Sequence, residues 1–320
     1  MELILVTGSS GVAGSAIKKI AEFTKNKKFI FSTSSDCDLE SKEKTKLYIE
    51  KIKPDYIINL AAVSGGIGLS SKCQASLLYS NLAINFNILE SCKNIKLKKL
   101  LLVLSSGIYP EHANLPLKES SLNNGEPFEA AYGYSYAKRI LQPAIKAYRN
   151  QYGLKVIGAI PNGIFGENDN FNLDDAPMLP SVIRKCYEAK DFNTDIEIWG
   201  DGSPLREYTY SEDVAKSFLW MLENYDDDIA LNTGTTEENS IKEIVFMIFD
   251  ELKIDKKRAY FNINKPSGIL RKSTDNLIFK RLSNFQYTTF REGLRKTIKW
   301  FDYCYKNEKN VLRIYSKNKH

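Results

Sequence analysis

Histidine is nearly missing from the chain, with only His112 and His320 among 320 residues. Five cysteines, Cys37, Cys73, Cys92, Cys186 and Cys304, are scattered without a Cys-x-x-Cys pair. Together these shortages argue against a dedicated metal site and a disulfide framework, so the thiols are expected to be reduced and no metal is expected. No apolar run approaches the roughly 18 residues of a membrane span. Residues 1–7 lead straight into glycines, too short an apolar region for a signal peptide, so no membrane partner and a cytoplasmic location are expected. No internal repeat is visible. The net charge of +6 comes from lysines spread along helices and gathered near the end. That distribution reads as solvated surface and not as a nucleic-acid footprint.

What the chain does have is an α/β pattern long enough for one large unit with a smaller companion. Residues 2–6 form a short apolar run, followed by Thr7-Gly8-Ser9-Ser10-Gly11-Val12-Ala13-Gly14 and a helical pattern through residue 23. Strand, glycine turn and helix in that order form a dinucleotide-binding opening. Gly8 permits the turn, Gly11 admits a pyrophosphate, and Gly14 lets helix and sheet close up, while free N–H groups at the helix start face the phosphates with Ser10 beside them. The second strand, 29–32, ends in Ser32-Thr33-Ser34-Ser35 with Asp36 only later. Hydroxyls without a strand-end carboxylate favour NADP over NAD, with Ser32 and Ser34 as contacts. Asp38 offers either a carboxylate to the adenine edge or a cap to the helix over 42–52.

A third strand over 56–60 leaves through Leu60-Ala61-Ala62, small residues that let a cofactor lie close. Helix is expected over 72–93. Residues 100–104 are apolar at every position, as in a central parallel strand covered on both faces, and end in Ser105-Ser106-Gly107. Open sheets place their chemistry beyond the carboxyl ends of such strands. Tyr134 and Lys138 follow at helical spacing, so that the ammonium can lower the phenol's pKa for proton exchange. The same spacing at Tyr305/Lys309 and Tyr315/Lys319, in a Lys- and Asn-rich region, reads as chance. Further on, helix is expected over 178–189, strands over 196–199 and 206–210, and a capping box at Ser240-x-x-Glu243.

Gly8-x-x-Gly11-x-x-Gly14, Ser105 and Tyr134-x-x-x-Lys138 occur in the order found in the extended short-chain dehydrogenases/reductases, the nucleotide-sugar epimerases, dehydratases and reductases. Leu60-Ala61-Ala62 with Gly65-Gly66-Ile67, Ser105-Ser106-x-Ile108-Tyr109-Pro110, Asp169-Asn170-Phe171 and Trp199-Gly200-x-Gly202-x-Pro204-x-Arg206-Glu207 resemble the GDP-fucose synthase group nearly end to end. The resemblance implies a Rossmann doubly wound parallel sheet, residues 1–163 plus 208–236, binding NADPH. It implies a smaller α/β substrate-binding domain, residues 164–207 plus 237–320. It also implies a GDP-linked 4-keto sugar as substrate, a 6-deoxyhexose or heptose destined for surface glycans. Tyr134 would donate the proton to the C4 oxygen, Lys138 would hold the nicotinamide ribose, and Ser105 would bond the developing alkoxide. Ser106, Gly107, Asn162, Lys185, Trp199, Arg206 and Lys272 would meet the substrate. A homodimer would form through helices 72–93 and 134–151, with Leu77, Leu78, Ile84, Ile140 and Ala144 facing either the partner or the sheet.

The departures from that group matter as much. The resembled enzymes also epimerise C3 and C5, with a cysteine directly after the Ser-Ser pair and a histidine before the arginine-bearing helix; here Gly107 and Pro177 stand at those places. Neither side chain carries a proton, and His112 in its loop reads as solvent-facing. The expectation is therefore a C4 reductase without epimerase activity. The alternatives are a bifunctional fucose-synthase type, an NAD-dependent 4-epimerase, or a fold that has lost its chemistry; a 4,6-dehydratase would need an acid and a base that Ser106-Gly107 lacks.

Overall fold

The computed structural model describes residues 1–265 and 268–314. Strands run β1 Glu2–Thr7, β2 Lys27–Ser32, β3 Tyr56–Asn59, β4 Lys99–Val103, β5 Val156–Ile160, β6 Gly163–Phe165, β7 Ile196–Trp199, β8 Leu205–Tyr210, β9 Leu231–Asn232, β10 Glu238–Ser240 and β11 Ala259–Asn262. Helices run α1 Val12–Ala21, α2 Lys42–Ile52, α3 Ile67–Lys72, α4 Gln74–Cys92, α5 Tyr132–Arg139, α6 Leu141–Tyr152, α7 Met178–Ala189, α8 Ser211–Asn224, α9 Ile241–Leu252, α10 Leu277–Ser283 and α11 Phe290–Asn307. Tyr315, Lys319 and His320 lie outside the described residues.

Six strands form one parallel sheet in the order β2-β1-β3-β4-β5-β9. Successive side chains on a strand face opposite ways. Leu100 and Leu102 accordingly enter the core beneath α2, α4 and α6, while Leu101 enters the one beneath α1 and α8. The sheet is therefore doubly wound, and its uniformly apolar strands follow from having no wet face. Chain order reverses between β1 and β3, and that crevice is where such sheets bind ligands.

A second core gathers α7, α9 and α11 around Phe165, Phe171, Phe290 and Phe301. A sheet in the order β10-β8-β6 and the parallel pair β7/β11 belong to this half. Ser240 and Glu243 complete the expected capping box on α9. The segment 277–283, expected with the second unit, packs on the first: Phe279 is fully buried against Trp220 of α8 and the parallel-sheet core.

Two helix expectations change. The helix expected over 72–93 is α3 and α4 parted at Cys73, whose backbone lies outside the helical region. The helix expected over 134–151 is interrupted between α5 and α6 at Ile140. Pro143 explains the second break, because it offers no N–H to the Arg139 carbonyl and its ring crowds that group. Of the proposed dimer residues, Leu77, Ile84 and Ala144 are buried within the chain, whereas Ile140 is exposed. Among the described residues no helix is long and apolar enough to cross a membrane.

Candidate active site

The glycine turn lies over the reversal point of the sheet. Gly8 has φ +63°, and a Cβ there would fall 2.6 Å from the Ala61 nitrogen, so only glycine lets β1 and the β3 exit meet. A Cβ on Gly14 would fall 2.5 Å from Ser9 Cα, which confirms its packing role. Over Gly11, in contrast, a Cβ would come within 4 Å only of the Gly8 carbonyl. Gly11 is the N-cap of α1 with no side-chain cap bond, leaving the first N–H groups of the helix for an anion. This cradle fits a dinucleotide pyrophosphate, with exposed Ser10 at its rim.

The Leu60-Ala61-Ala62 exit is held by a buried amide chain. Thr7 Oγ1 donates to Asn59 Oδ1 (2.6 Å), Asn59 Nδ2 donates to Asn85 Oδ1 (2.9 Å), and Asn81 bonds both the N–H and the carbonyl of Val63. At the end of β2, Ser34 is exposed, but Ser32 is 2% exposed and faces inward. Thr33 beside it is partly exposed with its Oγ1 donating to Asp36, and Ser35 is exposed. Asp38 is not the cap of α2, a role that Ser41 fills; its carboxylate accepts from the Glu40 N–H and lies 3.6 Å from Lys44 Nζ.

Ser105, Tyr134 and Lys138 come together beyond β4. Ser105 Oγ accepts from the Gly107 N–H (3.1 Å) and is hydrogen-bonded to the Tyr134 hydroxyl. Lys138 is 2% exposed and donates to the Val103 carbonyl (2.8 Å). Burial lowers its ammonium to about 8. Burial also raises the Tyr134 phenol, with Ser105 pulling the other way. The expected lowering of the phenol by Lys138 does not show: the direction is set by the phenol's own burial, with Ser105 as the opposing influence.

Tyr134 and Gly107 line a cavity of about 290 Å³ with Gly65, Ile67, Ser70, Phe128, Ala131, Ser135, Arg206, Gly268, Ile269 and Lys272. Arg206 and Lys272 are both lowered by desolvation, Lys272 to about 8 with Arg206 contributing. Among the described residues neither has a carboxylate within ion-pair distance, so the pair suits an anion. Lys185 lies apart with half-exposed Trp199, its Nζ 6.0 Å from the ring centre, and Lys265 approaches the same ring. Ser106 is half-buried and tied to Pro161 by its N–H. Asn162 lies outside the cavity lining. Its amide is spent on Glu207, Thr235 and Thr209, in a network whose burial raises Glu207 to about 7. His112 is exposed.

The profile of the NAD dependent epimerase/dehydratase family matches residues 4–234. The chain belongs to this family. GDP-L-fucose synthase of Dictyostelium discoideum is 37% identical over 303 residues, covering 93% of this chain and 94% of that one. GDP-L-colitose synthase of Yersinia pseudotuberculosis is 30% identical, covering 96% and 99%. A GDP-L-fucose synthetase from Naegleria fowleri bound to NADP has a TM-score of 0.89 at 31% identity, covering 98% and 96%.

Two residues of this epimerase/dehydratase-family site escaped the sequence reading. Arg139 donates from Nε to the Ile108 carbonyl and from Nη1 to the Gly125 carbonyl, clamping the loop that carries Ser105 onto α5. Ser135 lies fully buried in the cavity wall. The signal for both was position: they flank the tyrosine and the lysine of the central motif.

Proposed function

We propose that the chain is an NADPH-dependent C4 reductase of a GDP-linked 4-keto sugar, a 6-deoxyhexose or heptose, that leaves C3 and C5 unaltered. The carrying observation is the cavity lining, whose titratable side chains among the described residues are Tyr134, Arg206 and Lys272. Inverting a carbon beside a ketone takes an acid and a base on opposite faces of the sugar. Tyr134 is committed to the C4 oxygen, Arg206 stays protonated, and one lysine cannot serve both faces. Pro177 caps α7 beside the turn where the Gly66 N–H donates to Asp175, and brings no proton there.

NADPH supplies the hydride when bound, held by the N-terminus of α1, Gly8, Gly11, Leu60, Ala61, Ala62 and Lys138; the NADP-bound Naegleria relative supports this choice. Tyr134 donates its hydroxyl proton to the C4 oxygen. Ser105, already bonded to that hydroxyl, holds the same oxygen as charge develops on it. Lys138 stays fixed by the Val103 carbonyl, mostly protonated near neutral pH. Arg206 and Lys272 neutralise the diphosphate, a fork and a point charge. Lys185 and Trp199 meet the outer end of the nucleotide, and the names of the two curated relatives support GDP there.

The second reading, a bifunctional enzyme, draws on the 37% identity to a GDP-L-fucose synthase. Incubation with a GDP-4-keto-6-deoxyhexose in deuterated water without NADPH separates the two. No enzyme-dependent deuterium at C3 or C5, with NADPH-dependent reduction of the same or a pre-epimerised ketone, is expected. Uptake at either carbon would overturn the reading.

A further inference from the structure

Ser135 has no exposed surface, yet its Oγ finds no hydrogen-bond partner among the described residues. Such a hydroxyl is uncommon in a folded protein and is costly to leave unpaired, so it calls for a partner that arrives from outside. Its surroundings indicate where that partner comes from. The point that a Cβ on Gly107 would take lies 3.3 Å from Ser105 Oγ, 3.6 Å from Ser135 Oγ and 3.8 Å from Lys272 Nζ. Three polar groups thus converge on a space that the loop leaves without a side chain. All but Ser105 belong to the cavity that Tyr134 lines.

We propose that Ser135 Oγ and the space over Gly107 form a subsite for the hydroxyl on C3 of the sugar, making the enzyme selective for 3-hydroxy over 3-deoxy 4-keto sugars. The inference rests on the proposed C4 reduction, which puts the carbonyl oxygen on Ser105 and Tyr134. One bond further round the ring, C3 is the only carbon next to C4 that bears a hydroxyl, since C5 carries the ring oxygen and C6. With Ser105 bound to the carbonyl oxygen, the neighbouring Ser135 is the group that the C3 hydroxyl meets. Any side chain at position 107 would crowd that space.

Two measurements test this. In the first, kcat/KM is compared for a GDP-4-keto-6-deoxyhexose and its 3-deoxy counterpart. The wild type should favour the former about ten- to hundredfold, the range set by leaving one buried polar group unpaired, and in Ser135→Ala the ratio should fall toward one. In the second, GDP-mannose and GDP-3-deoxymannose are titrated into the protein saturated with NADP, where the wild type should show the same preference in affinity. Unliganded Ser135→Ala should melt no lower than the wild type, because its hydroxyl has no internal bond to lose. Equal binding of the two GDP-sugars by the wild type, undiminished selectivity in the variant, or a markedly lower melting temperature each overturns the subsite. Failure to reduce either ketone, with binding that still depends on the C3 hydroxyl and on Ser135, would sink the reductase reading and leave the subsite standing.

Discussion

Lys272 Nζ stands 3.8 Å from the position of a Cβ on Gly107. A thiol placed there would sit against an ammonium, which favours the thiolate. Gly107→Cys should therefore react with iodoacetamide at pH 7 faster than an ordinary thiol, with an apparent pKa below the usual value of about 8.5. Mass spectrometry of that peptide across pH reads the value. A normal or raised pKa would mean that Lys272 does not reach this space when charged.

Tyr134→Phe removes the hydroxyl bonded to Ser105 while leaving the ring in place. Loss of a positioned general acid typically costs on the order of 10² to 10⁴ in rate. Ketone reduction should fall by that much while NADPH binding, followed by fluorescence, stays near the wild-type value. Wild-type turnover would place the proton donor elsewhere.

The lowered Lys272 predicts a pH dependence of substrate binding. Below about 8 the group is charged, and above it the proton is lost. A diphosphate binds the charged form, so binding of GDP-mannose should weaken severalfold as pH rises from 7 to 9. Lys272→Met should bind weakly at every pH and lose the dependence. Calorimetric titration without NADPH keeps Lys138 out of the readout.

Hydride donor preference should favour NADPH, but modestly. Exposed Ser34 and Ser35 offer hydroxyls, yet Asp36 lies beside them, its carboxylate accepting from the Thr33 N–H and Oγ1 and held below its ordinary pKa by those bonds. Asp36→Asn should raise the NADPH-to-NADH ratio of kcat/KM. An equal or higher kcat/KM with NADH in the wild type would overturn the preference.

A homodimer is expected through an apolar depression on α4 and the α5–α6 junction, lined by Tyr79, Leu82, Ala83, Phe86 and Ile140. Tyr79 is 69% exposed and Ile140 43%, so the apolar side chains form one contiguous open patch. Light scattering at micromolar concentration should give twice the chain mass, and Phe86→Glu should give one chain. A wild-type monomer would remove the proposal.

What could be read from the sequence was whatever is local in it. The glycine turn, the Tyr134/Lys138 spacing and the Ser240/Glu243 box each depend on residues within one turn of chain, and each took its expected form. The break at Ile140 was local too, but the expected helix ran through Pro143, the one residue that could have signalled it. The burial of Ser32 was not legible, since it depends on pairing with β1 and on the helices that cover the sheet. The rest required distance. Asn162 looked available until the fold brought Glu207, Thr209 and Thr235 around it. Nothing near Phe279 in sequence told which core it would join.

The Asn162–Glu207 knot also bears on how this molecule can be taken apart. Glu207 lies on β8, and its carboxylate accepts from both the N–H and the hydroxyl of Thr274, while Asn162 sits just past β5 of the parallel sheet. Chain segments far apart in order are thus tied at one buried point, and the path crosses between the two cores repeatedly. A cut ahead of Phe165 would keep the second core whole but take Val214, Phe218, Leu231 and Phe279 from one face of the parallel sheet, so the two halves do not separate cleanly at one point. Altering the sugar that this scaffold accepts must proceed by substitutions made in place.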